Sequence, residues 1–292
     1  MRRDITLDQQ RRVGVVLVVL SALVFSTAGV FTKGVTADAW SVIFWRGAAA
    51  AGFTVLYLLW RGRLIAEARA SKTKPAVLVA VLLVLGTAAF IPAFKLSSVA
   101  NVALIYGAAP LVAALLSWIF ISEPPTGRVA SASVLAFAGV FIIFSASWGG
   151  GGTGGDLLAL WMTMMMAASM VIYRRFPQTP AAFPAAVASL LLLPTAVIFG
   201  APFEVPLREL PILIFFGLFF AFASVALSEG ARRLPAAETA LLSILELPLA
   251  PFLALLLLGT WPSLATLCGG ACVLVAVLAS QVESLETRGQ KR

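Results

Sequence analysis

The chain has 292 residues, of which 61% are hydrophobic and 12% charged, and its mean hydropathy is +1.00. Ordinary globular chains hold about 45–50% apolar and about 25% charged residues, so a soluble domain is excluded. The net charge of +8 raises nucleic acid as a partner, an idea that the placement of the charges answers below.

A hydrocarbon core of about 30 Å takes roughly 20 apolar residues to cross as a helix. Taken in chain order, such runs occupy residues 13–32, 40–60, 75–94, 98–121, 129–148, 156–173, 180–199, 210–228, 236–258 and 263–281. None alternates in polarity, as a barrel strand would. The sequence therefore predicts an all-α membrane protein with ten transmembrane helices.

The run from residue 13 follows several arginines, but it is long for a signal peptide and nine further spans come after it. It reads as an uncleaved first helix. Arg46 lies near the start of the second span and is expected to reach back to the interface along its aliphatic stem. The loop of residues 61–74, the longest, is basic and polar.

Lys33 and Lys95 close the first and third spans. The third also carries Phe90, Pro92 and Phe94. The fourth span holds Asn101, Tyr106 and Pro110, and the fifth holds Ala136 and Gly139. After it comes WGGGGTGG, a flexible linker by composition. The expected division is a tail at 1–12, a first repeat at 13–148, a linker at 149–155, a second repeat at 156–281 and a tail at 282–292.

The sixth span opens the second half and carries Trp161, Tyr173 and MTMMMAASM, with five of the chain's six methionines. Thioether side chains adapt to varied ligand shapes, although consecutive methionines cannot all face one cavity. The ninth span holds Thr239, Ser243, Glu246, Pro248 and Pro251. The tenth holds Gly269, Gly270 and two cysteines, Cys268 and Cys272, which form no metal or redox signature and read as buried, inert thiols. Small residues in the fifth and tenth spans permit close helix contact, between the halves or in a dimer.

The chain also repeats itself. At a constant offset of 138 residues, Lys95 meets Arg233, Leu104 meets Leu242, Pro110 meets Pro248, and Pro124 meets Pro262. Five spans per half is an odd number, so the second copy enters the membrane from the other side. Inverted repeats around a mid-membrane site are a plan of secondary transporters. The cations agree with this topology. Seventeen fall on the face of the termini, against Lys33, Lys95 and Arg208 on the other, an asymmetry that puts the basic face in the cytoplasm. Topology accounts for the net charge, and no nucleic acid is expected.

Charged groups within spans cost about 2.5–3.5 kcal/mol at mid-helix on an insertion scale, and so point to function. Thr239, Ser243 and Glu246 form one stripe at i, i+4, i+7. Glu246 either binds a substrate ammonium, carries a proton, or only fixes helix packing. Asn101 offers a donor and an acceptor, to a substrate or to a neighbouring helix. Pro110, Pro248 and Pro251 interrupt backbone hydrogen bonding, as hinges for alternating access or as static kinks. Phe25, Phe90, Phe94, Trp161, Met165, Tyr173 and Tyr106 are expected along the pathway. The chain has no histidine and no phosphate-binding loop motif, so histidine-based catalysis and direct use of ATP are excluded. No enzyme activity, cofactor or metal is expected.

Several stretches resemble the drug/metabolite transporter superfamily, in its ten-helix metabolite and amino-acid exporter branch. They are SALVFSTAGVFTK ending at Lys33, FWRGAAAAG around Arg46, KLSSVANVALIYGAAPLVAALLSWIFISEPPT with Glu123, and VLAFAGVFIIF ending at Phe144. The counterpart of Glu123 in the second half is Trp261, a departure from the family pattern. The resemblance implies export of amino acids or similar metabolites across a bacterial inner membrane, with protons as one coupling option. The other readings are a non-transporting scaffold or receptor subunit, whose core would be solid, and a nucleotide-sugar, phosphate or drug exchanger. Oligomeric state is left open.

Overall fold

The computed structural model describes residues 7–148, 152–231, 233–234, 239 and 242–289. Among these, helices follow one another through short turns and no strand occurs. The first half comprises α1 (Leu7–Ser26), α2 (Ala28–Lys33), α3 (Ala39–Trp60), α4 (Leu64–Ala70), α5 (Lys74–Leu96), α6 (Val99–Gly107), α7 (Ala109–Ile121) and α8 (Gly127–Ser147). The second half comprises α9 (Thr153–Arg175), α10 (Ala182–Phe199), α11 (Leu210–Ala231), α12 (Glu246–Leu258) and α13 (Leu264–Gly289).

Eight helical segments are long and apolar enough to cross a membrane, the first formed by α1 and α2 together. The shorter apolar helices Glu246–Leu258 and Leu264–Ser280 lie where the ninth and tenth spans are expected. Part of the expected ninth span, residues 236–238, 240 and 241, falls outside the described residues.

Local sequence sets the helix ends. The Asp38 carboxylate accepts from the amides of Trp40 (2.8 Å) and Ser41 (3.0 Å) and caps α3. Ser98 Oγ does the same for the Asn101 amide at 3.0 Å in α6. Such caps satisfy amides that a helix N-terminus leaves without partners. Gly62 and Gly259, with φ of 63° and 66°, end α3 and α12 in the left-handed region that glycine enters freely.

Two expectations change. The loop 61–74 contains the short helix α4, and the glycine-rich linker is shorter than composition predicts. Helix α9 begins at Thr153, so residues 153–155 are helical, while 149–151 lie outside the described residues.

The helices pair symmetrically across the halves. Helix α5 packs on α9 as α11 packs on α1, and α3 on α11 as α10 on α5. Two further pairings, α3 with α10 and α8 with α13, map onto themselves when the halves are exchanged. At the α8–α13 seam Gly139 and Gly269 meet backbone to backbone. A Cβ on Gly139 would lie 2.5 Å from the Gly269 carbonyl oxygen, and one on Gly269 would lie 2.5 Å from that of Gly139. The small residues of these two helices thus serve contact between the halves. Cys268, expected to be buried, is exposed on the outer side of α13.

Candidate functional site

Both halves break a helix at equivalent places. Helix α6 ends at Gly107 and α7 begins at Ala109, with Pro110 in its first turn. At the 138-residue offset, α12 begins at Glu246, with Pro248 in its first turn. Proline is tolerated there because its missing N–H would have no helical partner anyway. The turns are closed by tighter i→i−3 bonds, from the Ala108 amide to the Ile105 carbonyl at 3.1 Å and from the Leu247 amide to the Ile244 carbonyl at 3.0 Å. The prolines therefore mark true breaks rather than bends. Pro248 and Pro251 face an apolar groove with Leu104, Phe252 and Trp261.

The two breaks border a cavity of about 660 Å³. Its polar lining includes Arg46, Tyr106, Thr239, Ser243 and Glu246, and its apolar lining includes Phe25, Phe90 and Phe220. Glu246 makes no hydrogen bond or ion pair among the described residues. Helix α9 contributes Met162, Met166 and Met170, whose four-residue spacing puts them on one helical face. A second cavity, of about 680 Å³, shares Arg46, Thr87, Met166, Phe220 and Ser228 with the first. It extends to Arg63, Glu67 and residues 177–182 at the basic face. The space runs from the helix breaks to that face.

The structure gathers Glu246, Ser243, Thr239, Tyr106, Phe25, Phe90 and Pro110 around one space. Other expected residues lie elsewhere. Phe94 is buried behind Phe90, edge-on at 5.0 Å. Met165 faces the α5–α9 seam, where a Cβ on Gly86 would stand 3.3 Å from its own. Trp161 is 43% exposed on the outer side of α9. Tyr173, half-buried towards the basic end of α9, lines neither cavity.

Asn101 lies outside the cavity, in a buried polar cluster near the opposite face. Its amide nitrogen donates to Asp156 Oδ2 (3.2 Å) and Ser147 Oγ (3.2 Å), and its oxygen accepts from Thr266 Oγ1 (2.7 Å). Ser97 Oγ donates to the same Asp156 carboxylate. Asp156 is 0% exposed. Buried polar groups persist when they are hydrogen-bonded, and this cluster joins the two halves. An acid in the first turn of an apolar span was the available signal for Asp156.

Arg46 departs most from expectation. Rather than reaching the interface, it is 3% exposed. It stands eight residues beyond the Asp38 cap, about 12 Å along the helix at ~1.5 Å per residue. Three phenylalanine rings surround its guanidinium carbon, Phe220 at 4.7 Å, Phe216 at 5.4 Å and Phe90 at 5.6 Å. Cation–π attraction holds the charge among them. The α11 rings approach because Gly217, where a Cβ would lie 2.4 Å from the Arg46 carbonyl oxygen, lets the backbones touch.

Towards the opposite face, second-half loops bind first-half loops. The Glu209 carboxylate accepts from Thr36 Oγ1 (2.6 Å), the Thr36 amide (3.0 Å) and the Ala37 amide (3.1 Å). Lys95 Nζ donates to the Val35 carbonyl at 2.7 Å, so this lysine ties helix ends together. At the end of α7, Glu123 pairs with Arg174 of α9 at 2.6 Å.

Comparison with known proteins agrees with this architecture. The family model described as the EamA-like transporter family matches twice, over residues 12–145 and 153–280. A protein of known crystal structure superposes with a TM-score of 0.67 at 17% sequence identity, over 93% of this chain and 98% of its own. No curated protein matches the sequence.

Proposed function

The chain belongs to the EamA-like transporter family of the drug/metabolite transporter superfamily, membrane proteins that carry small molecules, and from that premise we propose that it exports amino acids or similar amphiphilic metabolites by alternating access. We read it as ten spans in two inverted five-span repeats, residues 13–148 and 156–281, with both termini in the cytoplasm of a bacterial inner membrane. The symmetric helix pairing supports the inverted repeats, and the distribution of lysine and arginine supports the orientation. A solid core was the expected mark of a scaffold, and the cavity argues against one.

The observation that carries the substrate reading is the lining at the helix breaks. Glu246, Ser243, Thr239 and Tyr106 supply a few polar contacts among phenylalanine and methionine side chains. An apolar space with a small number of placed polar groups is how small-molecule sites are built. It suits a neutral or apolar amino acid better than a phosphate, for which several cations would be needed. In this reading the breaks at Pro110 and Pro248 act as hinges, with Pro251 in the turn that follows.

Proteoliposomes preloaded with single amino acids test the proposal. Efflux above that from empty liposomes is expected for apolar or aromatic ones, and no efflux of any amino acid sinks it. Glu246 is the group proposed to couple transport to protons. The variant Glu246→Gln should still bind substrate but lose its stimulation by an imposed pH gradient. If the gradient dependence is unchanged, Glu246 carries no proton.

A further inference from the structure

The Arg46 guanidinium is held but not satisfied. The three phenylalanine rings engage its charge through their π faces, and an aromatic ring accepts no conventional in-plane hydrogen bond. Guanidinium has five N–H donors lying in its plane. Nε and Nη1 are both sealed from solvent without a hydrogen-bond partner. Arg46 makes no ion pair among the described residues, and it lines both cavities. Leaving buried donors unmade is costly, and an arginine inside a membrane span is costly again. The fold nonetheless shapes itself around the residue, since Gly217 brings α11 against the Arg46 backbone.

We propose that Arg46 is the receptor for a single carboxylate on the transported molecule, making the substrate an organic acid or zwitterion with an apolar or aromatic body. The planar guanidinium fork matches a carboxylate in two parallel hydrogen bonds. The surrounding rings keep water from competing and give the apolar body its contact surface. Glu246, on the same cavity, remains available for an ammonium or a proton. A dianionic phosphate would meet one cation and one carboxylate there, a poor balance. The inference rests on the reading of this cavity as the transport site, and it narrows that reading from amphiphilic metabolites to carboxylates.

The test uses proteoliposomes of the full chain and four related probes. Phenylalanine has both charged groups, 3-phenylpropionate only the carboxylate, and phenylalanine amide and phenethylamine lack the carboxylate. Phenylalanine and 3-phenylpropionate should move, with the amide and the amine about 100-fold less efficient, as expected for loss of a buried charged hydrogen-bonded pair. Arg46→Lys keeps the charge but loses the fork, and should raise KM for phenylalanine about tenfold. Arg46→Met should erase the preference of phenylalanine over its amide.

Equal transport of phenylalanine and its amide by the wild type overturns the proposal and leaves the exporter reading standing. Wild-type phenylalanine kinetics in a folded Arg46→Met protein overturn it as well. If no probe and no other amino acid moves, the exporter reading fails and takes this inference with it. Should Arg46→Met not fold, the wild-type probe series still decides.

Discussion

Gly139→Leu should yield no monodisperse protein in detergent, and Gly139→Ala should lower the melting temperature measurably. In a bilayer, helices gain little from burying apolar surface, because lipid is as apolar as the side chains; close van der Waals packing has to hold them together. The α8–α13 seam achieves that packing at Gly139 and Gly269. A Cβ on Gly139 would stand 2.5 Å from the Gly269 carbonyl oxygen, 2.9 Å from Cys272 Cβ and 3.1 Å from Val273 Cγ2. The first is a backbone atom and has no rotamer to escape into, so relief requires the helices to part. Overpacking a fitted core typically costs about 1–3 kcal/mol, and a methyl against backbone belongs at the upper end. Gly86 provides the contrast, since a Cβ there meets the end of the Met166 side chain at 2.8 Å, and that side chain can move. Gly86→Ala should therefore melt close to the wild type. Size-exclusion profiles and thermal melts of the three variants decide, and a monodisperse Gly139→Leu with wild-type melting would refute the close seam.

How much could be read beforehand depended on whether the deciding contact was local. Pro110 and Pro248 announced the helix breaks, because a proline's effect lies within its own turn. Glu246, Ser243 and Thr239, grouped in the sequence by helical period, line one cavity, although the helix breaks between Ser243 and Glu246. Arg46 was misread because its neighbours Phe216 and Phe220 come from the other half of the chain, and sequence near residue 46 says nothing of them. Asn101 likewise found its partners, Asp156 and Thr266, across the repeat boundary. Helix α9 carries five methionines at positions all around it, so their number alone does not say which of them turn inward. Only packing reveals that Met162 and Met166 turn inward while Trp161 turns out. The small residues of α8 and α13 foretold a close contact, but whether between halves or between copies was a question for the fold.

Removing the Glu209 carboxylate should open the opposite face. Glu209, just ahead of α11, receives three hydrogen bonds from Thr36 and Ala37 in the loop after α2, and so fastens the second half to the first. Alternating access requires such a tie to form and break. A hydrogen bond to a charged group contributes about 1.5–3 kcal/mol, so losing even one net bond shifts a two-state ratio about tenfold or more. With Cys268→Ser and Cys272→Ser removing the native thiols, Thr87→Cys places a reporter where both cavities meet. A membrane-impermeant maleimide should label it from the basic face in the parent. In Glu209→Ala, labelling from the opposite face should rise about tenfold or more. Acid should imitate the substitution. Burial opposes ionisation of Glu209, but the hydrogen bonds from Thr36 and Ala37, with a smaller contribution from Arg208, outweigh it and hold its pKa below the usual carboxylate value. Ionised Glu209 thus favours the closed face. That contribution is fully present above the ordinary carboxylate pKa of about 4.3 and fades as pH falls through the depressed value. Opposite-face labelling of the parent should stay flat near neutrality and climb only in acid, while Glu209→Ala should show no such rise. Equal labelling of parent and Glu209→Ala at neutral pH would mean that the tie does not hold this face shut.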